Sequence, residues 1–351
     1  MKKEVPKKKL AVFLVLSVLL ITFTFYFYQV FFTPNILVGK TDRLVVVRAN
    51  TSFRLLQRQF AEQGVINDMV SFSFVARLMG YDRKIKSGRY LLRTDMSNRQ
   101  AVLALSSGRR EAVKITFTHV RLLQDLKEKI TANIGVSPEE FGEALEDFID
   151  NGDSGLSMET ALCMFIPNTY EVYFNITPEE LVNRMYQEYI RFWTEERKEK
   201  ARQQGLTPVE VSILASIVQA ETVKADEAPV IAGLYLNRLR KGSPLQADPT
   251  LVYASGDFTL KRVLNIHKEI DSPYNTYKNA GLPPGPINMP YIRSIDAVLN
   301  AATHNFYYMC AKEDFSGYHN FAKDLSDHQV NARRYQRALT AEMRKAKENK
   351  P

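Results

Sequence analysis

Apolar and polar positions along the chain change period several times, and each change marks an element. Leu10 to Phe32 carries no charged residue, and a helix of that length, at about 1.5 Å per residue, crosses roughly 30 Å of hydrocarbon. Beyond it the pattern becomes that of a globular chain. Leu44 to Arg48 is a β-branched run that predicts a strand, and Thr51 or Ser52 caps a helix through Gln63 that Gly64 closes. A second helix is predicted over Asp68 to Met79, ending at Gly80. The turn Ser87-Gly88 leads to a strand over Arg89 to Leu92, and Ser97 or Asn98 caps a helix carrying Ala101, Val102 and Leu105, with Gly108 as its stop.

A further strand, Ala112 to Phe117, precedes a helix containing Arg121-Leu122-Leu123-Gln124, and the same four letters follow the first strand at Arg54-Leu55-Leu56-Gln57. The echo predicts two related strand-helix modules. Ser137-Pro138-Glu139-Glu140 opens another capped helix, and Asn151-Gly152-Asp153-Ser154-Gly155 is a loop by composition, where a domain boundary is expected. Pro178 to Gln204 reads as one long charged helix closed by Gly205. Pro229 to Lys241 places Ile231, Leu234, Tyr235 and Leu239 on one face of a helix, and Ser326 to Lys350 is a charged terminal helix.

Between these lies Thr207-Pro208 to Glu221. Thr207, Pro208 and Glu210 form a helix-start signature, since the hydroxyl caps a free N–H, Pro fits the first turn and Glu210 reaches back. Ile213, Leu214, Ile217 and Val218 follow at helical spacing, and Glu221 continues their stripe while Gln219 points elsewhere. A carboxyl held against apolar neighbours stays protonated near neutral pH and suits a general acid. The plainer reading has Glu221 ending the helix in solvent.

Composition adds the setting. The chain has 351 residues, enough for two or three domains, with a formal net charge of +8. Tyr26, Phe27, Tyr28, Phe31 and Phe32 stand where a signal cleavage site needs small residues, so the apolar segment reads as an uncleaved anchor spanning 10–32. Lys2, Lys3, Lys7, Lys8 and Lys9, offset by Glu4, supply about half of the +8 and predict a cytoplasmic tail over 1–9, with everything from Lys40 on the far side of the membrane. The exported part is then only mildly basic, which argues against nucleic acid and is compatible with an anionic extracellular polymer. Cys163 and Cys310 are the only cysteines; a disulfide and two free thiols both remain open. No paired-cysteine or His-Glu-x-x-His spacing is present, so no metal or cofactor is expected.

Four features rich in amides, hydroxyls and rings follow Glu221: Leu245-Gln-Ala-Asp-Pro-Thr250, Asn275-Thr-Tyr277, Gly281-Leu-Pro-Pro-Gly-Pro-Ile287 and Tyr318-His-Asn-Phe321. Rings stack on the apolar faces of pyranoses and amides match their hydroxyl and acetamido groups, so these side chains suit a sugar polymer. Each has a structural alternative. The proline-rich stretch serves as a stiff turn, Asp248 before Pro249 as a turn residue, and His319 and His328, candidate general bases, as hydrogen-bonding groups of the scaffold. Arg238 either meets a carboxylate or faces solvent.

Leu214 through Glu221-Thr222, Gly233-Leu-Tyr-Leu-Asn237-Arg238-Leu239, Leu245 to Thr250, Tyr274 to Tyr277 and Gly281 to Ile287 together resemble the endolytic murein transglycosylases, the MltG or YceG-like family, across about Leu206 to Val330. Residues 41–110 are similar to that family's LysM-like module. The resemblance implies an α+β chain: tail, transmembrane helix, LysM-like module, a second small module over 111–155 and a catalytic domain over 160–345. It makes Glu221 the catalytic glutamate and places Gln246, Asp248, Thr250, Asn275, Tyr277, Pro284 and His319 about the glycan groove. It further implies peptidoglycan strands as substrate, peptidoglycan synthases as partners, and cleavage between N-acetylmuramic acid and N-acetylglucosamine to leave a 1,6-anhydro end. Many members carry a second acid where this chain has Gln219. Two other readings remain: a muramidase, with Asp248 or Asp226 across the sugar from Glu221, and a non-catalytic, membrane-tethered glycan-binding scaffold.

Overall fold

The computed structural model describes residues 7–348 except 49, 108–111, 153 and 261. The lysines before Lys7, Asp153 of the predicted loop and the Gly108 stop fall outside the described residues. Helices and short antiparallel strands are mixed throughout, and the chain divides into two compact units. Unit one is Met1–Lys114 with Asn133–Val136 and Glu171–Ile176; unit two is the remainder. The division follows Lys114, and the loop at 151–155 lies inside unit two.

Unit one begins with α1 (Lys7–Phe32), long and apolar enough to cross a membrane at a mean hydropathy of 2.5. Then come β1 (Pro34–Ile36), β2 (Arg43–Val47), α2 (Phe53–Glu62), α3 (Met69–Leu78), β3 (Gly88–Leu92), β4 (Met96–Ser97) and α4 (Asn98–Ser107). β1 pairs with β4 and β2 with β3, both antiparallel, with Val45 opposite Tyr90. Of the two candidate caps for α2, Ser52 is the one used: its Oγ accepts from the Leu55 amide at 3.3 Å. Asp68 does the same for α3 through Val70 at 2.9 Å. Leu56, Phe60, Phe72, Val75, Leu92, Val102 and Leu105 make the core, and Val30 and Phe31 from the end of α1 join it.

β5 (Ala112–Phe117) pairs with β6 (Asn168–Tyr173), and the residues of both strands are shared between the units. Between them run α5 (Leu123–Thr131) and α6 (Pro138–Asn151). The repeated four letters sit differently in the two places: the first copy lies inside α2, whereas Leu122 of the second is the residue before α5. Equal letters therefore serve unequal helical positions.

The expected helix over Pro178 to Gln204 is two, α7 (Pro178–Phe192) and α8 (Glu195–Gln204). Trp193 turns into the core with 2% of its surface exposed, and Thr194 becomes extended so that its Oγ1 accepts from the Arg197 amide at 3.3 Å. Burial of the indole and a fresh cap outweigh the helical propensity of the charged stretch.

α9 (Pro208–Glu221) and α10 (Ala228–Arg240) match the expected helices, and α11 (Asp248–Ser255) begins at Asp248, which is thus a helix start and not a turn residue. Next are α12 (Ile292–Leu299), β7 (Tyr308–Ala311), β8 (His319–Ala322) and α13 (Leu325–Glu348). The pattern predicts none of β6, α12, β7 or β8. Cys163 and Cys310 are both free, and Cys163 is buried.

α10 passes close to the chain at 302. A Cβ on Gly233 would stand 2.2 Å from the Ala302 carbonyl oxygen and 2.8 Å from His304 Nε2. Gly233→Ala is therefore expected to destabilise unit two by about 1–3 kcal/mol, as overpacking does; an unchanged thermal midpoint would show that the 302–304 segment yields freely.

Candidate active site

α9 positions the acid. Thr207 Oγ1 accepts from the Glu210 amide at 3.3 Å and Glu210 Oε2 accepts from the Thr207 amide at 2.8 Å, a reciprocal cap that fixes the helix start. Val211 through Val218 are all buried, because α8, α10, α11 and α12 all pack on this helix. The predicted stripe is thus a fully enclosed helix. The last turn opens on a cleft of about 680 Å³, which Ala220 and Glu221 line together with Asp248, Val252, Tyr253, Phe258, Ile287 and Asn288.

Glu221 is surrounded by protein even though its end reaches the cleft. Burial pushes its pKa up to about 7 from 4.5, the nearby Asp248 adds to the rise, and the Tyr235 hydroxyl, His319 and Arg238 oppose it. The Tyr235 hydroxyl donates to Glu221 Oε1 at 2.6 Å and is itself held protonated, its pKa raised by burial and then by the carboxylate. Tyr235 was legible only as part of an apolar face. A tyrosine in such a face needs a polar partner for its hydroxyl, and that was the available signal.

The second carboxylate of the cleft is Asp248, whose Oδ1 accepts from the Tyr277 hydroxyl at 2.5 Å. Tyr277 is half-buried and its pKa is raised by burial and by Asp248. Gln246 is exposed with a left-handed φ of 51°, held by its amide donating to the Thr276 carbonyl at 3.0 Å. Thr250 and Asn275 are wholly buried. Thr250 Oγ1 bonds the Ala247 carbonyl at 2.7 Å and lies 2.8 Å from Thr276 Oγ1. Asn275 Nδ2 donates to the Lys268 and Ile270 carbonyls at 2.9 and 2.8 Å while its Oδ1 receives the Tyr277 amide at 3.0 Å. These two residues shape the loops that carry Tyr277 and Asp248.

Pro284 is exposed on the proline-rich loop, and the next residue anchors that loop: a Cβ on Gly285 would lie 2.0 Å from the Glu159 carbonyl oxygen. His319 is tied to the buried Glu227, its amide donating to Oε1 at 2.7 Å and Nδ1 standing 2.9 Å from Oε2. Asp226 accepts from the Tyr318 hydroxyl at 3.1 Å; like Gln246, Tyr277, Pro284 and His319, it is not among the residues that line the cleft, whereas Asp248 is. Arg238 donates to the Tyr307 carbonyl at 2.7 Å and to the Leu245 carbonyl, so it fixes backbone and does not face solvent alone. His328 stacks on Tyr308 and burial lowers its pKa.

Gln219 has a scaffold place that uses both ends of its amide. Its Nε2 donates to Asn288 Oδ1 at 3.0 Å and to the Met289 carbonyl at 3.3 Å, while Oε1 accepts from the Tyr291 amide at 2.6 Å and Ser294 Oγ at 3.2 Å. A carboxylate accepts but cannot donate, so Glu here would face the Met289 carbonyl without a proton. Sequence reasoning also missed Arg121, Arg262, Tyr335 and Leu339 in the lining of the cleft. Arg121 lies 4.5 Å from the Phe258 ring centroid, a contact that joins residues far apart in the chain.

The folded protein keeps a proton on Glu221 that the unfolded chain releases from its ordinary value of 4.5 upward. Stability is therefore lost as pH rises between 4.5 and about 7, and the penalty stays constant above that. Glu221→Gln is expected to raise the thermal midpoint at pH 8 and to leave it nearly unchanged at pH 4. Equal shifts at both pH values would show that the carboxyl is not proton-linked to folding.

Comparison with known proteins agrees with this architecture. The chain is 29% identical over 304 residues to a protein named endolytic murein transglycosylase from Streptococcus pneumoniae strain R6, covering 76% of this chain and 54% of that protein. It is 34% identical over 157 residues to the protein of that name from Bacillus subtilis, covering 45% of this chain and 42% of that one. The chain thus spans about half the length of the curated relatives it matches. A solved YceG-like protein from Listeria monocytogenes shares the fold, with a TM-score of 0.53 at 24% identity, over 82% of this chain and 98% of that one. The model of the YceG-like family matches residues 45–334, and the chain belongs to that family.

Proposed function

We propose that this protein is a peptidoglycan lytic transglycosylase that cuts the bond between N-acetylmuramic acid and N-acetylglucosamine, with Glu221 as its single acid and base. The observation that carries the reading is the Glu221 carboxyl, half-buried at a cleft and brought to a pKa of about 7. A group poised near neutrality both gives and takes a proton. Protonated Glu221 donates to the glycosidic oxygen as its bond to C1 breaks. The resulting carboxylate accepts the proton of the muramoyl 6-hydroxyl as that oxygen bonds to C1, leaving a 1,6-anhydro end and consuming no water. Gln246, Asp248, Tyr277, Pro284 and His319 border the glycan, with Thr250 and Asn275 supporting them. The names of the relatives support the substrate class.

α1 anchors the enzyme with its tail in the cytoplasm and the cleft outside, which confines cutting to glycan near the membrane and places it beside the synthases that extend new strands. Residues 41–110 act as a LysM-like glycan-binding module, and the chain terminates nascent strands. One observation favours a second reading: Asp248 lines the same cleft as Glu221, and two carboxylates flanking a sugar suit hydrolysis.

The products separate these readings. Purified glycan strands digested by the full chain are expected to carry anhydro-muramoyl ends by mass spectrometry, and Glu221→Gln to lower their formation roughly 10²–10⁴-fold; reducing ends would make the enzyme a hydrolase. The pH profile tests the acid itself. Tyr235→Phe removes a bond that favours the carboxylate, so the alkaline limb of kcat/KM moves to higher pH, whereas Asp248→Asn removes a neighbouring negative charge and moves it lower. Limbs that move together would assign the titration to another group.

A further inference from the structure

We propose that the outward face of α3 is a second membrane contact, seated in the headgroup layer beside the end of α1 and recognising anionic lipid. The inference rests on the reading of α1 as a membrane span. The end of α1 is built into unit one: Val30 and Phe31 are buried in its core, and Asn98 Nδ2 donates to the Val30 carbonyl at 2.9 Å. Asn98 Oδ1 accepts from Asn35 Nδ2 at 2.6 Å, and Asn35 holds both backbone groups of Asp68, the residue that caps α3, at 2.6 and 2.8 Å. This buried amide pair joins the exit of the span to the start of α3 without a flexible link.

The distance follows from the chain. Asn35 is three residues past Phe32, so it lies at most about 11 Å beyond the last turn of the span, while the headgroup layer is roughly 5–8 Å deep on each side. The start of α3 therefore meets that layer or its outer edge.

What α3 presents there is apolar. Val70, Phe74 and Leu78 are 79%, 54% and 62% exposed and recur every fourth position, one above another on a single face. Phe72, Val75 and Ala76 face the core instead. Arg77 on α3 and Arg54 and Arg58 on α2 are exposed. Apolar side chains with a basic fringe are the composition of an interfacial helix, the rings and branches entering the acyl boundary and the guanidinium groups meeting lipid phosphates. Among the described residues of this unit beyond the exit segment, Leu55, Leu91 and Leu103 are also exposed, each on a different element from α3.

The test uses the full chain with Cys310→Ser, Cys163 being buried, in bilayer nanodiscs of phosphatidylethanolamine and phosphatidylglycerol. A nitroxide is attached through Val70→Cys, Phe74→Cys or Leu78→Cys, with Val18→Cys as the label within the span and Leu91→Cys as the label in water. Collision with oxygen relative to a water-soluble nickel complex is expected to be several-fold higher at 70, 74 and 78 than at 91, and to approach the ratio at 18. Water-like ratios on α3 with a lipid-like ratio at 18 would overturn the proposal while sparing the anchor. Labels shielded from both reagents would assign the face to a protein contact and overturn it too. A water-like ratio at 18 would instead overturn the anchor, and the α3 contact with it.

Discussion

The site depends on the enclosure of α9. Helices on several sides exclude water from Val211 to Val218, and Glu221, one turn further on, is half-buried where the helix meets the cleft. Desolvation is the largest influence on Glu221, and it outweighs the Tyr235 hydrogen bond and the charges of His319 and Arg238. Were α9 open on one face, the same glutamate would be an ordinary carboxylate.

That enclosure is obtained through small residues and amides at close range. Gly233 lets α10 approach the 302 carbonyl, and Gly285 lets the proline-rich loop rest on the 159 carbonyl. From α9 itself, Ser216 Oγ receives the Ile287 amide at 3.0 Å and the Ser216 carbonyl receives Asn288 Nδ2 at 2.9 Å. Gln219 completes the clasp one turn later. Gln219 is thus a cross-link between the helix and the loop bordering the cleft. A polar network of this kind is stable only when every member is satisfied, and here the amide meets both donors and acceptors.

Unit one uses the same means for a different end. Asn35 and Asn98 are nearly wholly buried, and they spend their amides on the exit of α1 and the first turn of α3. A long apolar helix followed by a flexible linker would leave the following domain free to turn. The bonds to Val30 and Asp68 fix the start of the domain to the end of the helix.

The sequence by itself determined the local elements whose signals are local: the long apolar helix α1, the caps at Ser137 and Thr207, the bounds of α9, and Glu221 as the residue to watch. These depend on hydroxyls, prolines and periodicities within a few residues of one another. The family motifs also named Asp248 and Tyr277 together before their hydrogen bond was known. Tertiary structure decided the rest. It broke the helix at Trp193 because an indole gains more from burial than the backbone loses there, it formed β6, α12, β7 and β8 from stretches without a strong period, and it enclosed α9 on all sides when the pattern required only one. It also brought Tyr235 to Glu221, and Arg121 and α13 to the cleft, through contacts between distant segments. Proximity across the chain sets a pKa, and no spacing along the chain encodes it.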